Sequence, residues 1–229
     1  AALTLADPEK LSAAYGMGLL KCMINGLNTF QHGLGTITER LAEKYADCIR
    51  YNAPVEKIVI ENGKVKGVEV NGALVEADCV IPALTATKLL KIAPGLPENY
   101  VQALKKVTYS ECCHVVFALP CKVFPTGWYA LLTPRFTKAM VAGLSDNSVK
   151  SEYYAPSGCS QISCWTYERY AHDLNNASEE EIKRSQIREI KRFLPSMPDE
   201  PLFTKIYRWR EAVCVGQPGM LTAFTKIKR

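Results

Sequence analysis

The chain has 229 residues, of which 48% are hydrophobic and 22% charged, and its formal net charge is +5. This balance is typical of a globular protein with a sizeable core and excludes an intrinsically disordered chain. No apolar run is long enough for a transmembrane helix, and the first residues resemble no signal peptide, so we expect neither.

The nine cysteines are scattered and odd in number, which is typical of buried thiols in a reducing cytoplasm. No Cys-x-x-Cys pair occurs and the three histidines are isolated, so we predict no metal site and interpret His114 as a structural group within an apolar strand. We expect a cytoplasmic protein, with peripheral membrane association left open.

Residues 183–229 carry eleven lysines and arginines against four acidic residues, so most of the positive excess is C-terminal. A solvated surface is the simplest interpretation, and a phosphate-rich or anionic partner is the alternative. No zinc-finger spacing or aromatic RNA-binding signature accompanies these charges, so nucleic acid is not an expected partner.

The N-terminal segment predicts two helices. Asp7 and Pro8 are residue types suited to the N-cap and first turn of a helix that runs to Ile24 or Asn25, with Gly26 past its end. After the turn Gly33-Leu34-Gly35, a second helix is predicted over Thr38–Tyr45, with Thr36 or Thr38 as its cap.

Residues 48–83 predict a compact β unit. The Asn-Gly pairs at 62–63 and 71–72 are the preferred two-residue hairpin turns, and β-branched residues flank them. The predicted strands are Cys48–Tyr51, Val55–Ile60, Lys64–Val70, Ala73–Glu76 and Ala77–Ala83. We expect the last of these to be buried on both faces, because it is almost continuously apolar.

The remainder predicts longer strands without helices between most of them, which is typical of an antiparallel sheet. Short helices are expected over Thr85–Ile92 and from Pro97 to Lys106, and Ser178 opens a capping box for a helix over 179–194. The expected strands are Tyr109–Leu119, Trp128–Thr133, Lys138–Leu144, Ser160–Tyr167 and Leu202–Val213, with a short helix at the end of the chain.

Read together, residues 33–83 resemble the internal segment of the superfamily of flavin-containing amine oxidases, phytoene desaturases and protoporphyrinogen oxidases. The resemblance rests on Gly33-Leu34-Gly35 with Leu41, Val55-Glu56-Lys57-Ile58, Val65-Lys66-Gly67-Val68 and Ala77-Asp78-Cys79-Val80-Ile81-Pro82-Ala83. The later segments Arg208-Trp209-Arg210-Glu211-Ala212 and Gly216-Gln217-Pro218-Gly219 resemble the run that precedes the last flavin motif of the family.

Two family motifs are absent from this chain: the N-terminal Gly-x-Gly-x-x-Gly turn, on which the pyrophosphate of FAD rests, and the C-terminal Gly-Asp motif. We therefore expect an internal piece of a longer flavoprotein with the remainder of the FAD domain missing. The fold expected is α+β: a mixed, largely antiparallel sheet flanked by helices, plus a small β unit of an incomplete Rossmann-like FAD domain. The ranges expected are 1–32 for the helical part of the substrate domain, 33–84 for the FAD-domain β unit, 85–213 for the substrate-binding domain and 214–229 for the return to the FAD domain.

The resemblance also implies site residues. Val55 would bind the adenine of FAD through its backbone, Ala83 would let the cofactor approach, and Trp209 would lie near the flavin ring or line the substrate cavity. The aromatic residues expected to line the substrate cavity are Tyr109, Trp128, Trp165, Tyr167 and Tyr207. No catalytic acid–base pair or nucleophile is recognisable, which suits a reaction in which the flavin takes a hydride and the protein positions the substrate.

The leading hypothesis is the central, substrate-binding portion of an FAD-dependent oxidoreductase that oxidises a C–N or C–C bond of a mostly apolar small substrate. We expect the isolated chain to be inactive and to bind FAD poorly. One alternative is a stand-alone module that binds an apolar ligand or a partner protein. Another is a protein that binds anions or membrane surfaces through its basic C-terminal third.

Overall fold

The computed structural model describes residues 4–24 and 28–227. Contacts within the chain define two compact units, one of Ala1–Arg40 with Tyr109–Val215 and one of Leu41–Thr108 with Gly216–Arg229. Residues 33–40 and 85–108 thus group differently from the ranges expected from sequence, and the functions assigned to those ranges stay predictions.

The second unit contains a three-stranded antiparallel sheet that the sequence predicted strand by strand. Its strands are β1 (Val55–Glu61), β2 (Lys64–Val70) and β3 (Ala73–Glu76), in that spatial order. Asn62 and Gly63 have φ values of 50° and 74°, and Asn71 and Gly72 have 51° and 72°. Two consecutive positive φ angles define the hairpin turn whose twist matches that of the strands, which confirms the Asn-Gly signal.

Gly67 has a structural reason to be glycine. Its φ is 145°, and it pairs with Val59 of β1 and Glu76 of β3 in the middle of the sheet. A Cβ atom built on Gly67 would collide with the carbonyl oxygen of Val75. The glycine of the Val-Lys-Gly-Val segment therefore allows the third strand to approach the second.

Three short helices complete the second unit: α3 (Ala86–Ile92), α4 (Glu98–Leu104) and α7 (Met220–Ile227). A further helix, α2 (Gly35–Lys44), spans the division between the two units. Its Thr38 hydroxyl donates to the carbonyl oxygen of Gly35 at 2.7 Å and so does not cap the helix as predicted.

Two predicted strands of the β unit are wrong. Residues 46–48 form a 3₁₀ turn, so Cys48–Tyr51 is not a strand. The segment Ala77–Ala83 forms no strand and is not buried, with Ile81 88% exposed. The amide of Ala77 donates to the carbonyl of Lys66, after which no described strand pairs with the segment. An apolar run becomes a buried strand only where neighbouring strands satisfy its backbone.

The first unit is built on a five-stranded sheet with the spatial order β5–β6–β7–β4–β8. Its strands are β4 (Thr108–Leu119), β5 (Ala130–Leu132), β6 (Val141–Asp146), β7 (Ser160–Thr166) and β8 (Phe203–Val215). β5, β6, β7 and β4 pair antiparallel in succession, which confirms the α+β class and the antiparallel expectation.

One face of this sheet carries the main core. On β4 the alternating residues Cys113, Val115, Phe117 and Leu119 are fully buried, and they cluster with α6 (Glu179–Lys191) through Ile182, Ile187 and Ile190. The Ser178 half of the predicted capping box of α6 is confirmed, because the Ser178 hydroxyl accepts from the Glu181 amide at 3.2 Å. The helix before it, α5 (Glu168–Asn176), was not predicted.

The N-terminal segment forms a 3₁₀ turn at Pro8–Lys10 and then α1 (Ala13–Ile24). Asp7 precedes the turn, but its side chain makes no capping bond and pairs with Arg135 instead. Gly26, the predicted helix stop, lies outside the described residues. Within the part that the structure describes, every helix is too short or too polar to span a membrane.

Candidate functional site

An apolar groove in the second unit brings together two of the predicted cofactor residues, Val55 and Ala83. The groove has a volume of about 550 Å³. It is lined by Val55, Ile58, Val68, Val80, Ile81, Pro82, Ala83, Leu84, Lys88, Lys91 and Ile92. These two residues are far apart in sequence, and the fold of the β unit places them on one surface.

The walls of the groove follow from the local structure of the chain. β1 is the outer strand of its sheet, so among the described residues no strand pairs with its other edge. The extended segment 79–84 forms a second wall, and α3 contributes Lys88 and Lys91. The result is an apolar slot with an open strand edge on one side and two cationic side chains on another.

Three aromatic rings stack across β7, β4 and β8 in the first unit. The His114 ring lies 5.7 Å from Trp165 and 5.6 Å from Tyr207, measured between ring centroids, with interplanar angles of 14° and 22°. His114 and Trp165 are register partners on adjacent strands. These rings lie on the sheet face opposite the main core, because side chains alternate along β4.

The strand next to β7 carries a glycine beside Trp165. Gly143 of β6 is the register partner of Trp165. A Cβ atom on Gly143 would lie 2.9 Å from a Leu132 methyl carbon and 3.6 Å from the Trp165 ring. A methyl group here would therefore displace the end of the Leu132 side chain, whereas its contact with the indole would be an ordinary van der Waals contact.

His114 has an uncommon environment for a histidine. Its Nε2 atom is buried and has no hydrogen-bond partner among the described residues. Burial lowers the pKa of the His114 imidazole below its ordinary value. The ring is therefore neutral at neutral pH, and its Nε2 is a buried hydrogen-bonding group on the sheet face that also carries the cluster of Leu5, Cys112, Ala142 and Tyr167.

Trp209 and Trp165 share a small groove of about 210 Å³ on the same face. Its lining also includes Leu5, Cys112, His114, Ala212 and Val213. Burial raises the pKa of the Cys112 thiol to about 11, against smaller opposing hydrogen bonds with Thr166. The thiol is therefore protonated at neutral pH and is a poor nucleophile.

A polar cluster on the other face of the sheet holds the backbone of Trp209. Asn175 donates to the Trp209 carbonyl oxygen at 3.4 Å and to the Glu111 carboxylate at 3.2 Å. Arg210 donates to the same carboxylate at 3.2 Å. Burial works against ionisation of Glu111, but hydrogen bonds with His172, Asn175 and Arg210 outweigh it, so the Glu111 pKa lies below its ordinary value.

The other predicted lining residues do not join the aromatic row. Tyr167 is 3% exposed, and its hydroxyl donates to the Thr133 carbonyl oxygen at 2.5 Å, which is a core role. Tyr109 also lies on β4, and the alternation of side chains along the strand places it on the face opposite His114. Trp128 precedes β5 and is 52% exposed. Of the five residues predicted to bind substrate, Trp165 and Tyr207 both stack on His114, and Trp165 also packs against the buried cluster that contains Tyr167.

The sequence interpretation missed His114 as a member of the candidate site. Its ring partners come from strands far along the chain, so no local signal marked it. A histidine on the half-buried face of a strand, opposite an aromatic residue in the paired strand, is the pattern that could have indicated it. Among the described residues, no three His, Cys, Asp or Glu side chains cluster in a way that could hold a metal ion.

The five-stranded and three-stranded antiparallel sheets with their helices define an α+β protein. The family described as flavin containing amine oxidoreductase matches residues 2–224, so this chain belongs to that family. Its members carry FAD, and the chain is accordingly part of a flavoprotein oxidoreductase family. A comparison with curated proteins gives no match.

Solved structures share the fold at low sequence identity. A protein assigned as protoporphyrinogen oxidase from Exiguobacterium sp. 255-15 matches 87% of this chain with a TM-score of 0.73 at 16% identity. Cyclohexylamine oxidase from Brevibacterium oxydans IH-35A matches 84% with a TM-score of 0.66 at 18% identity. The aligned regions cover 43% and 44% of those two chains, so this chain spans less than half the length of the proteins it resembles.

Proposed function

We propose that this chain forms the substrate-facing sheet and the adenine-binding β unit of an FAD-dependent oxidoreductase. The substrate is a mostly apolar small molecule in which a C–N or C–C bond is oxidised. The observation that carries the proposal is the common groove of Val55 and Ala83, because each residue was assigned to the cofactor from a different segment of the sequence.

The groove suits the adenine end of FAD in shape and chemistry. A flat base needs apolar walls, which Ile58, Val68 and Ile81 supply, and hydrogen-bonding groups at its edge. Along the outer edge of β1, every second residue directs its N–H and C=O away from the sheet, where a ligand can bind them. The single methyl group of Ala83 leaves the slot open.

The aromatic face of the five-stranded sheet suits the substrate side of the reaction. Bound FAD supplies the hydride acceptor, which the side chains of this chain cannot provide. The rings of Trp165, Tyr207 and Trp209 present an apolar surface that excludes water and orients an apolar substrate. The protonated Cys112 thiol does not compete as a nucleophile.

The groove can be tested by AMP binding to the 229-residue chain, measured from the shifts of backbone amide NMR signals. We expect the signals of Val55 and of residues 79–84 to move in a saturable way. Ala83→Leu fills the slot and should abolish these shifts. Ala73→Leu is the matched control, because Ala73 lies on β3 outside the groove lining and is exposed.

Two outcomes would overturn the cofactor assignment. One is AMP binding that Ala83→Leu leaves unchanged. The other is the absence of any AMP-dependent shift in the groove while the chain remains folded, as judged from its dispersed amide spectrum. The second outcome would favour a module that binds an apolar ligand without FAD.

A basic surface for anions has less support in the structure. Cations of the C-terminal third form ion pairs with neighbouring carboxylates, including Lys183 with Glu200, Lys191 with Asp199 and Arg192 with Glu189. Arg208 and Arg210 pair with Glu179 and Glu111. These charges are partly neutralised where they lie, which favours the ordinary solvated surface.

A further inference from the structure

The outer strand of the three-stranded sheet contains an irregularity beside the apolar groove. Val55 of β1 pairs with Val70 of β2, and the next pair along the ladder joins Lys57 to Glu69. Glu56 therefore has no partner of its own on β2, which defines a β-bulge at this position. Bulges are frequent next to functional sites, where they redirect a side chain, so we asked what this bulge does for the groove.

The bulge brings two side chains of β1 to the same side of the sheet. Val55 and Ile58 both line the groove, although they are three positions apart in sequence. In a regular strand, residues an odd number of positions apart point to opposite faces. Their register partners on β2 are Val70 and Val68, which are two positions apart and so share a face. Regular pairing of β1 would turn one of the two side chains away from the groove.

The side chain of the bulged residue is bonded to the neighbouring hairpin turn. The Oε2 atom of Glu56 accepts a hydrogen bond from the Gly72 amide at 3.2 Å. Gly72 belongs to the turn between β2 and β3, two residues after Val70, which is the register partner of Val55. The bond therefore ties the bulge to the end of the strand against which Val55 is aligned. Because Glu56 is exposed, water competes for this bond, and its contribution to the alignment is modest.

We propose that Glu56 is a positioning residue of the groove: its bond to Gly72 holds the bulge that presents Val55 to the ligand. This inference rests on the proposed function, in which the Val55 backbone binds the edge of adenine. Alternate residues of an antiparallel strand direct their N–H and C=O groups to opposite edges. A slip of β1 by one residue would therefore exchange the backbone groups of Val55 for those of a neighbour. Glu56 itself lies outside the groove lining and acts through Val55.

The test is AMP titration of the full 229-residue chain and three variants, followed by backbone amide NMR signals. Glu56→Ala removes the acceptor and should weaken AMP binding by about fivefold, the worth of one hydrogen bond. Glu56→Gln keeps a side-chain oxygen that can accept from the Gly72 amide, so it should bind AMP as the wild type does. Glu61→Ala is the matched control and should leave binding unchanged, because Glu61 is exposed on the same strand and outside the groove lining.

A second measurement separates positioning from a general effect on stability. In Glu56→Ala without AMP, we expect the nuclear Overhauser contacts between Val55 and Val70 to weaken, while those between β2 and β3 persist. The Gly72 amide should exchange with solvent faster in Glu56→Ala than in Glu56→Gln. Loss of the contacts between β2 and β3 as well would show that the bond supports the whole hairpin, and would overturn the positioning role.

The titration distinguishes failure of this inference from failure of the function on which it rests. If AMP binds the wild type and Glu56→Ala with equal affinity, the role of Glu56 is overturned and the adenine groove stands. If AMP moves no groove signal in the folded wild-type chain, the cofactor assignment fails, and the role of Glu56 fails with it. Weaker binding by Glu56→Ala that Glu56→Gln restores, with Glu61→Ala unchanged, supports both.

Discussion

His114 combines favourable stacking with an unsatisfied nitrogen, and these two effects oppose each other in the free energy of unfolding. The two ring contacts stabilise the sheet face, whereas a buried Nε2 that has no partner in the described part of the chain costs roughly 1–3 kcal/mol. Replacing His114 with phenylalanine keeps the first effect and removes the second. If a replacement stabilises the fold, folding alone does not explain why the native residue is present.

We predict that His114→Phe raises the free energy of unfolding by about 1 kcal/mol at neutral pH, because it removes the desolvated nitrogen. Urea unfolding of the purified chain measures this difference. His114→Ala is the comparison: it removes the nitrogen and also the ring between Trp165 and Tyr207, so it should destabilise the chain. A His114→Phe variant less stable than wild type would mean that Nε2 has a stabilising partner.

The lowered pKa of His114 also predicts a pH dependence of stability. In the unfolded chain histidine takes up a proton as the pH falls through about 6.5, whereas folded His114 does so only at a lower pH. The unfolded state therefore binds more protons in that window, and stability falls with decreasing pH. His114→Phe should remove this part of the loss between about pH 7 and pH 5, and His32→Gln should retain it. Equal slopes for wild type and His114→Phe would contradict the assignment.

At the level of the elements, the two hairpins were predictable and the segment after them was not. An Asn-Gly pair fixes a turn through its own backbone preferences, so Asn62-Gly63 and Asn71-Gly72 needed no tertiary information. Ala77–Ala83 has the composition of a buried strand, but strand formation depends on a neighbour elsewhere, which a single sequence does not display. The element α5 was missed because its buried side is small, consisting of Ala171, Leu174 and Asn175.

Gly67 provides a test of the β unit. Gly67→Ala places a methyl group against the Val75 carbonyl and forces a positive φ on a residue with a Cβ, so we predict a loss of about 3 kcal/mol or loss of β3 pairing. Gly72→Ala has open space around the new methyl group and should lose only about 1 kcal/mol. Chemical denaturation of both variants decides the point, and equal losses would show that Gly67 has no special packing role.

The N-cap of α6 gives a second prediction for an element. Ser178→Ala removes the bond to the Glu181 amide at the start of the helix that covers the main core, so we expect a loss of about 1 kcal/mol. Ser185→Ala lies inside the same helix, where its hydroxyl bonds the Ile182 carbonyl, and should be nearly neutral. A thermal unfolding comparison in which both variants match wild type would contradict the cap.

For the whole molecule, the sequence predicted the family and the α+β class because its motifs follow one another in the family order along the chain. The sequence also assigned Val55 and Ala83 to one cofactor, and in the structure both residues line the same groove. The sequence did not distinguish which aromatic residues line the candidate site, because Trp165 and Tyr167 lie in the same predicted strand. The difference is that the Tyr167 hydroxyl donates to the Thr133 carbonyl oxygen inside the core, whereas the half-buried Trp165 ring stacks on His114.

The central claim is that the groove of Val55 and Ala83 holds the adenine end of a flavin cofactor. The most direct measurement is a crystal structure of the 229-residue chain grown with AMP at a concentration that saturates it in solution. The account predicts the adenine ring between β1 and the segment 79–84, with its edge hydrogen-bonded to the backbone of Val55. Adenine bound elsewhere on the chain, with the groove left free of AMP, would contradict it.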